Sequence, residues 1–151
     1  MRIVNDLRQS FENPAITTDV MVGFAGETDG EFAESLDFVE SVGFAKVHVF
    51  PYSRRKGTLA DKMDGQVDPR VKDDRSKKMI EISEQGRRAF LNSQLGKTES
   101  VLVERKREGG YFEGYTMNYT PVRIFSEKAL TGKIVDVKLT RLGDDWCEGE
   151  L

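Results

Sequence analysis

Cysteine is nearly absent from this chain: Cys147 is the only one in 151 residues. An internal disulfide framework is excluded, and so is any zinc site or iron–sulfur cluster held by several thiolates of this chain. Histidine is just as scarce. His48 stands alone, so no second imidazole exists to share a metal, and no Ser-His-Asp spacing surrounds it. No apolar run approaches the roughly 18 residues that a membrane helix needs. The first stretch, MRIVNDLRQSFENP, is charged and lacks the apolar core of a secretory signal. No motif repeats at a fixed period. With 38% hydrophobic and 32% charged residues, what remains is an ordinary soluble globular composition, and the cytoplasm is the expected compartment.

The net charge of −3 conceals an uneven distribution. Residues 1–52 hold 3 cations against 9 carboxylates, residues 53–88 hold 11 against 7, and residues 97–151 hold 9 against 10. A basic middle third suits a polyanion, although a solvated helix face has the same composition.

Hydrophobic spacing organises the chain. Ile3, Val4, Leu7 and Phe11 share a helical face that Asn13-Pro14 ends. ITTDVMVGF (16–24) and AKVHVF (45–50) read as buried strands. Between them Thr28 and Glu31 form a capping-box signature, Phe32, Leu36, Val39 and Val42 make one apolar face, and Gly43 closes the helix. Strand, helix, strand predicts a parallel pair, which cannot by itself cover both faces of a sheet. A polar loop follows, then a long helix from Pro69 to about Leu95, with Gly96 as its expected cap. The last 55 or so residues change to short alternating stretches separated by Gly, Asn and Pro. Ile134, Asp136 and Lys138 alternate with Val135, Val137 and Leu139. About five strands in that length predict a small antiparallel barrel. The expected divisions are residues 1–68, 69–95 and 96–151.

TTDVMVGFAGETDGEF, KVHVFPYSRRKGTLA, a Lys/Arg-rich helix, GYFEGYTMNYTPVRIF and a final EGEL occur in that order. Together they resemble the C-terminal part of the radical S-adenosylmethionine (SAM) methylthiotransferases, over essentially the whole chain. HVFPYSRRKGT is most like the branch that modifies threonylcarbamoyladenosine in tRNA. The resemblance implies a partial α/β radical-SAM (β/α) barrel, contributing its last strands only, followed by a small OB-like TRAM β-barrel that binds RNA. Residues 16–24 would be the fifth barrel strand and 45–50 the sixth. The family uses SAM and two 4Fe-4S clusters. The cluster-binding cysteines are missing here, so this chain alone is expected to hold no cofactor and to be inactive. Ala25 also stands where the family usually has proline.

Several residues stand out for chemistry. Asp19 is a carboxylate in a strand that reads as buried, so it needs a partner or a polar interior to face. Gly23, Phe24, Gly26, Glu27 and Thr28 make a strand-to-helix turn whose backbone suits close approach to a ligand, or simply a capped turn. His48 shares a face with Lys46 and Phe50; a lone strand histidine is commonly structural, yet a barrel interior would place it at a cofactor. The resemblance makes Asp19, Gly23, Phe24, Gly26, Glu27 and His48 the cofactor-side candidates. In the loop after the second strand, Arg55 matches the family's shared arginine in YS-x-R-x-GT, whereas Arg54 takes the variable position. Arg55 and Thr58 are therefore the candidates there, against a plain basic loop. In the final region Arg105, Lys106 and Arg107 precede a cluster of aromatics, and cations with aromatics are what looped RNA engages. Arg105, Lys106, Arg107, Tyr115 and Asn118 are the RNA candidates, with Arg123, Lys133 and Lys138 extending the face. Trp146 reads as packing.

The implied partners are tRNA and the N-terminal part of the same enzyme; DNA and membranes are not expected. The alternatives are a free-standing RNA-binding module, another branch of the family acting on isopentenyladenosine or a ribosomal protein, and a protein-docking domain.

Overall fold

The computed structural model describes residues 1–151. They form two compact units: residues 1–4 with 16–86, and residues 5–15 with 87–151.

In the first unit, β1 (Thr17–Val22) and β2 (Lys46–Pro51) lie side by side in parallel, joined by α2 (Asp29–Val42). The start of α2 follows from its capping box. The Glu31 amide donates to Thr28 Oγ1 at 3.2 Å, and the Thr28 amide donates to Glu31 Oε2 at 2.8 Å. Two backbone donors that a helix start leaves unpaired are thereby satisfied. At the other end Gly43 adopts φ 61°, and its amide donates back to Val39 and Glu40. That left-handed turn suits a residue without Cβ. The long helix α3 (Pro69–Gln94) begins in this unit, and α1 (Arg2–Ser10) contributes Val4.

Strand alternation decides where the core lies. Val20 and Val22 of β1 and Val47 and Val49 of β2 pack with Phe32, Val39 and Val42 of α2, Phe44, and Met79 and Ile82 of α3. The opposite face carries Thr17, Asp19 and Met21 beside Lys46, His48 and Phe50, all exposed. One face alone has helices to cover it, as expected of a single strand-helix-strand unit, so the two strands that read as buried are buried on that side only. Ile3 and Phe11 of the N-terminal stripe are likewise exposed, leaving Val4 as its buried member.

In the second unit, β3 (Thr98–Lys106), β4 (Tyr111–Thr116), β5 (Pro121–Phe125), β6 (Ile134–Leu142) and β7 (Cys147–Glu150) close a barrel in the order β3-β4-β5-β7-β6. Four of the pairings are antiparallel, and β5–β7 is parallel. The small barrel expected from the sequence is therefore present and mainly antiparallel, with one parallel pair. Strand directions can alternate around a closed ring only when the number of strands is even, so five strands force one parallel pair. The inward residues Val101, Val103, Phe112, Val122, Ile124, Val137, Leu139 and Cys147 fill the interior with Leu91 and Leu130. Burial raises the Cys147 thiol pKa, and its Sγ lies 3.6 Å from the Leu91 carbonyl oxygen. Gly96, at φ 82°, donates its amide to Leu139 O at 2.7 Å, so it ties the chain to a barrel strand as α3 ends.

Gly114 on β4 has no room for a side chain. A Cβ there would overlap the Leu102 carbonyl oxygen and crowd Val101. Backbone cannot rotate away as a flexible side chain does, so Gly114→Ala is expected to destabilise the barrel by about 1–3 kcal/mol, the usual cost of overpacking. Urea unfolding followed by Trp146 fluorescence checks this; an unchanged midpoint would contradict it.

Candidate functional site

The first unit brings most cofactor-side candidates to the C-terminal end and open face of its sheet. Asp19 and His48 are register partners, followed one pleat further on by Met21 and Phe50. In a parallel ladder, partners point to the same side. A carboxylate, an imidazole and two apolar groups therefore share one uncovered surface. Phe24, also exposed, lies just beyond β1 and sets its ring edge-on to Tyr52, with centroids 5.0 Å apart.

The Gly23–Thr28 turn is fixed by a buried guanidinium. Arg75 of α3 is 5% exposed. Its Nη1 donates to Glu27 Oε2 at 2.6 Å and to the Glu27 carbonyl at 3.0 Å, and its Nη2 donates to Asp29 Oδ1 at 2.7 Å. The same Glu27 Oε2 accepts the Gly23 amide at 2.7 Å. Burial pulls the Arg75 pKa down, but the hydrogen bonds to Asp29 and Glu27 outweigh it, and the net shift is upward. Arg75 also stands 5.3 Å from the centre of the Phe32 ring. Glu27 thus organises the turn from within. Gly23 has φ 71°, and the space where its Cβ would stand is filled by the Lys72 side chain. Its lack of a side chain accommodates this protein's own lysine. Gly26 differs: nothing lies within 4 Å of its missing Cβ, at φ 86°, and its amide donates to Gly65 O at 2.8 Å.

After β2, Tyr52 is buried, and Lys72 Nζ donates to its carbonyl at 3.0 Å while lying 5.0 Å from its ring centre. Arg54 is engaged with Asp61: Nε donates to Oδ1 at 3.0 Å and Nη2 to the carbonyl at 2.7 Å. Thr58 folds the loop, donating Oγ1 to Arg55 O at 2.9 Å and accepting the Asp61 amide at 3.2 Å. The Arg55 and Lys56 side chains stay exposed. Along α3 the cations are largely matched: Lys77 pairs with Asp73 at 2.6 Å and Lys78 with Asp74 at 2.8 Å. The basic character seen in the sequence is mostly internal pairing.

On the second unit, the barrel's outer surface carries a row of alternating charge. Register places Arg105 beside Glu113, Glu113 beside Arg123, Arg123 beside Glu148, and Arg141 beside Glu148. Glu113 is its centre. Its carboxylate accepts Arg107 Nε at 2.5 Å, with Arg105 at 3.5 Å and Arg123 at 3.8 Å. Arg123 is held between two rings, 4.7 Å from the centre of Tyr111 and 4.4 Å from that of Trp146. Trp146, read as packing, acts as a face for a cation. Lys106 Nζ lies 5.5 Å from the Phe112 ring centre.

Tyr115 and Asn118 have different roles. Tyr115 is half-buried beside the exposed Tyr119, with ring centres 6.4 Å apart. Asn118 is consumed by its own turn. Its Oδ1 accepts Thr116 Oγ1 at 2.6 Å and Thr120 Oγ1 at 2.8 Å, and its Nδ2 donates to Asn13 O at 3.0 Å. That network supports Tyr119 at φ 59°, an unusual backbone for a bulky residue. Sequence reading missed Arg75 and Glu113. Arg75 lies 48 positions from Glu27, beyond any local pattern. Glu113 does sit on a strand of aromatics, but only cross-strand register, which sets Arg105 and Arg123 beside it, and the hydrogen bond from Arg107 show three arginines meeting it.

Two outcomes are expected. Removing the guanidinium in Arg75→Leu leaves the half-buried Glu27 without its counter-charge and should cost roughly 2 kcal/mol. Hydrogen exchange should show lost protection from the 23–28 turn into α2; unchanged protection would contradict this. The hydrogen bond from Arg107 holds the Glu113 pKa below its ordinary value, against the opposing effect of burial. A carboxyl lowered on folding contributes stability above its unfolded pKa, about 4.3, and loses it as pH falls through the folded value. The melting temperature should therefore fall on acidification below about pH 4.3, and less steeply in Glu113→Gln. Equal slopes would contradict this.

No family model matches the chain. Curated relatives do. The threonylcarbamoyladenosine tRNA methylthiotransferase of Bacillus subtilis is 36% identical over 151 residues, covering 97% of this chain and 34% of its own length. The tRNA-2-methylthio-N(6)-dimethylallyladenosine synthase of Natranaerobius thermophilus is 40% identical over 150 residues, covering 95% of this chain and 32% of its own length. The protein of that name from Thermoanaerobacter sp. is 36% identical over 153 residues. The chain spans about a third of the length of these relatives. Over its whole length, then, it is homologous to the C-terminal part of the tRNA methylthiotransferases, the family its ordered motifs resemble.

Proposed function

We propose that the chain serves as the C-terminal part of a tRNA methylthiotransferase, supplying part of the cofactor-site wall and the tRNA-binding module. The observation that carries this reading is the bare face of the parallel pair. Two parallel strands covered on one side only are not a finished sheet, and the uncovered side is the one that presents Asp19 and His48. A ligand laid along it would meet a carboxylate, an imidazole and the Met21, Phe24 and Phe50 side chains. The donor set suits the polar and apolar parts of SAM. The iron–sulfur clusters must be held by cysteines elsewhere in the enzyme, because the single thiol here is buried in the barrel. SAM supplies the methyl group and the radical chemistry; the residues here orient it and exclude water from one side.

The five-stranded barrel is the TRAM module in this reading, with Arg105, Lys106, Arg107 and Tyr115 toward RNA, and Arg55 and Thr58 at the loop beyond β2. The substrate is threonylcarbamoyladenosine next to the anticodon, a choice supported by the HVFPYSRRKGT stretch. A free-standing RNA-binding module is the second reading, favoured by the barrel's closed core.

A chimaera tests the proposal. The matching third of the Bacillus subtilis enzyme is replaced by this chain, and tRNA nucleosides are analysed by mass spectrometry in a strain lacking the enzyme. Methylthiolated threonylcarbamoyladenosine is expected. A chimaera that accumulates and shows cluster absorbance but leaves tRNA unmodified would overturn the reading, and methylthiolation of dimethylallyladenosine instead would overturn the choice of substrate.

A further inference from the structure

One carboxylate stands among more hydrogen-bond donors than it can satisfy. Glu113 meets Arg105, Arg107 and Arg123, yet only Arg107, at 2.5 Å, makes a hydrogen bond; the others, at 3.5 and 3.8 Å, are ion pairs. Each guanidinium carries five N–H donors, whereas a carboxylate accepts about four hydrogen bonds. Three cations around one anion also leave a local excess of positive charge. Arg123 does not depend on Glu113 alone for its position, and the strands bring the other two arginines to the same carboxylate. Arg123 also meets the rings of Tyr111 and Trp146, and register places the backbone of Arg105 opposite Glu113. Beside the cluster opens a groove of about 460 Å³ lined by Lys106, Arg107, Glu108, Tyr111 and Glu113. Three arginine forks gathered at one carboxylate, next to an open groove that Arg107 and Lys106 line, have the chemistry of a phosphate site.

We propose that Arg105, Arg107 and Arg123 form a binding site for an RNA backbone phosphate, and that Glu113 is its built-in competitor. The carboxylate occupies the place of the incoming anion and holds Arg107 until a phosphodiester displaces it. Affinity is thereby kept low enough for a modified tRNA to leave. The inference rests on the barrel being an RNA-binding module, and it assigns what sets the strength of that binding.

The test compares wild type, Glu113→Gln and Glu113→Asp of the full chain, binding labelled tRNA by fluorescence anisotropy over a range of salt concentrations. Glu113→Gln removes the competing charge with little change of shape. It should tighten binding by about 3- to 10-fold and steepen the plot of log K against log[salt] by about 0.7, the contribution of one further single-strand phosphate contact. Glu113→Asp keeps the charge and should stay within about 2-fold of wild type. Adding Arg107→Gln to Glu113→Gln should return the slope to the wild-type value. A merely structural Glu113 would weaken binding in both single variants without steepening the slope, and that result overturns the inference while leaving the RNA reading intact. If no variant binds tRNA at low salt, both fall.

Discussion

The buried guanidinium of Arg75 is the contact on which the first unit's candidate surface depends. One side chain on α3 reaches the Glu27 carboxylate, the Glu27 carbonyl and Asp29. Glu27 in turn accepts the Gly23 amide. The end of β1, the entry to α2 and the face of α3 are therefore set by a single charge. Asp29 is nearly fully exposed and adds little; the burial of Arg75 against Glu27 makes the contact costly to break. Lys72, three residues earlier on the same helix, packs over Gly23 and donates to Tyr52. These α3 side chains hold the ends of both strands, and Asp19 and His48 stand in register because those strands do.

The second unit is organised differently. Its interior is an ordinary apolar core, and its outer surface balances charge strand by strand. Alternating arginine and glutamate across the barrel satisfies cross-strand pairing and leaves only a small positive excess. This makes a segment with more carboxylates than cations compatible with the proposed binding of a polyanion. Local register can gather Arg105, Arg107 and Arg123 at one carboxylate even where the overall composition is slightly acidic.

Local rules written over three or four residues were legible in the sequence. The Thr28–Glu31 capping box, the Gly43 helix end, the parallel pair and the alternation of β6 all follow from neighbouring residues. The preference for Arg55 over Arg54 came from the family motif and not from a local rule; in the structure both side chains are exposed, and Arg54 pairs with Asp61. What the sequence concealed was set by distant partners. Gly23 looked like a glycine opened for a ligand and instead makes way for Lys72. Asn118 looked available to RNA and is taken up by Thr116, Thr120 and Asn13. Asp19 looked buried because its neighbours are apolar, but alternation places it on the bare face. The parallel β5–β7 pair follows from closing an odd number of strands, which no single stretch of sequence contains.

Equilibrium binding of tRNA to the chain at increasing salt tests whether, as proposed, it supplies a tRNA-binding module to a methylthiotransferase. A polyanion contact made through arginines releases counterions, so log K should fall linearly with log[salt], by about 0.7 to 0.9 for each phosphate engaged. Two or more phosphates, giving a slope steeper than about −1.4, are predicted. Binding that is absent at low salt, or that does not change with salt, would contradict the proposed role.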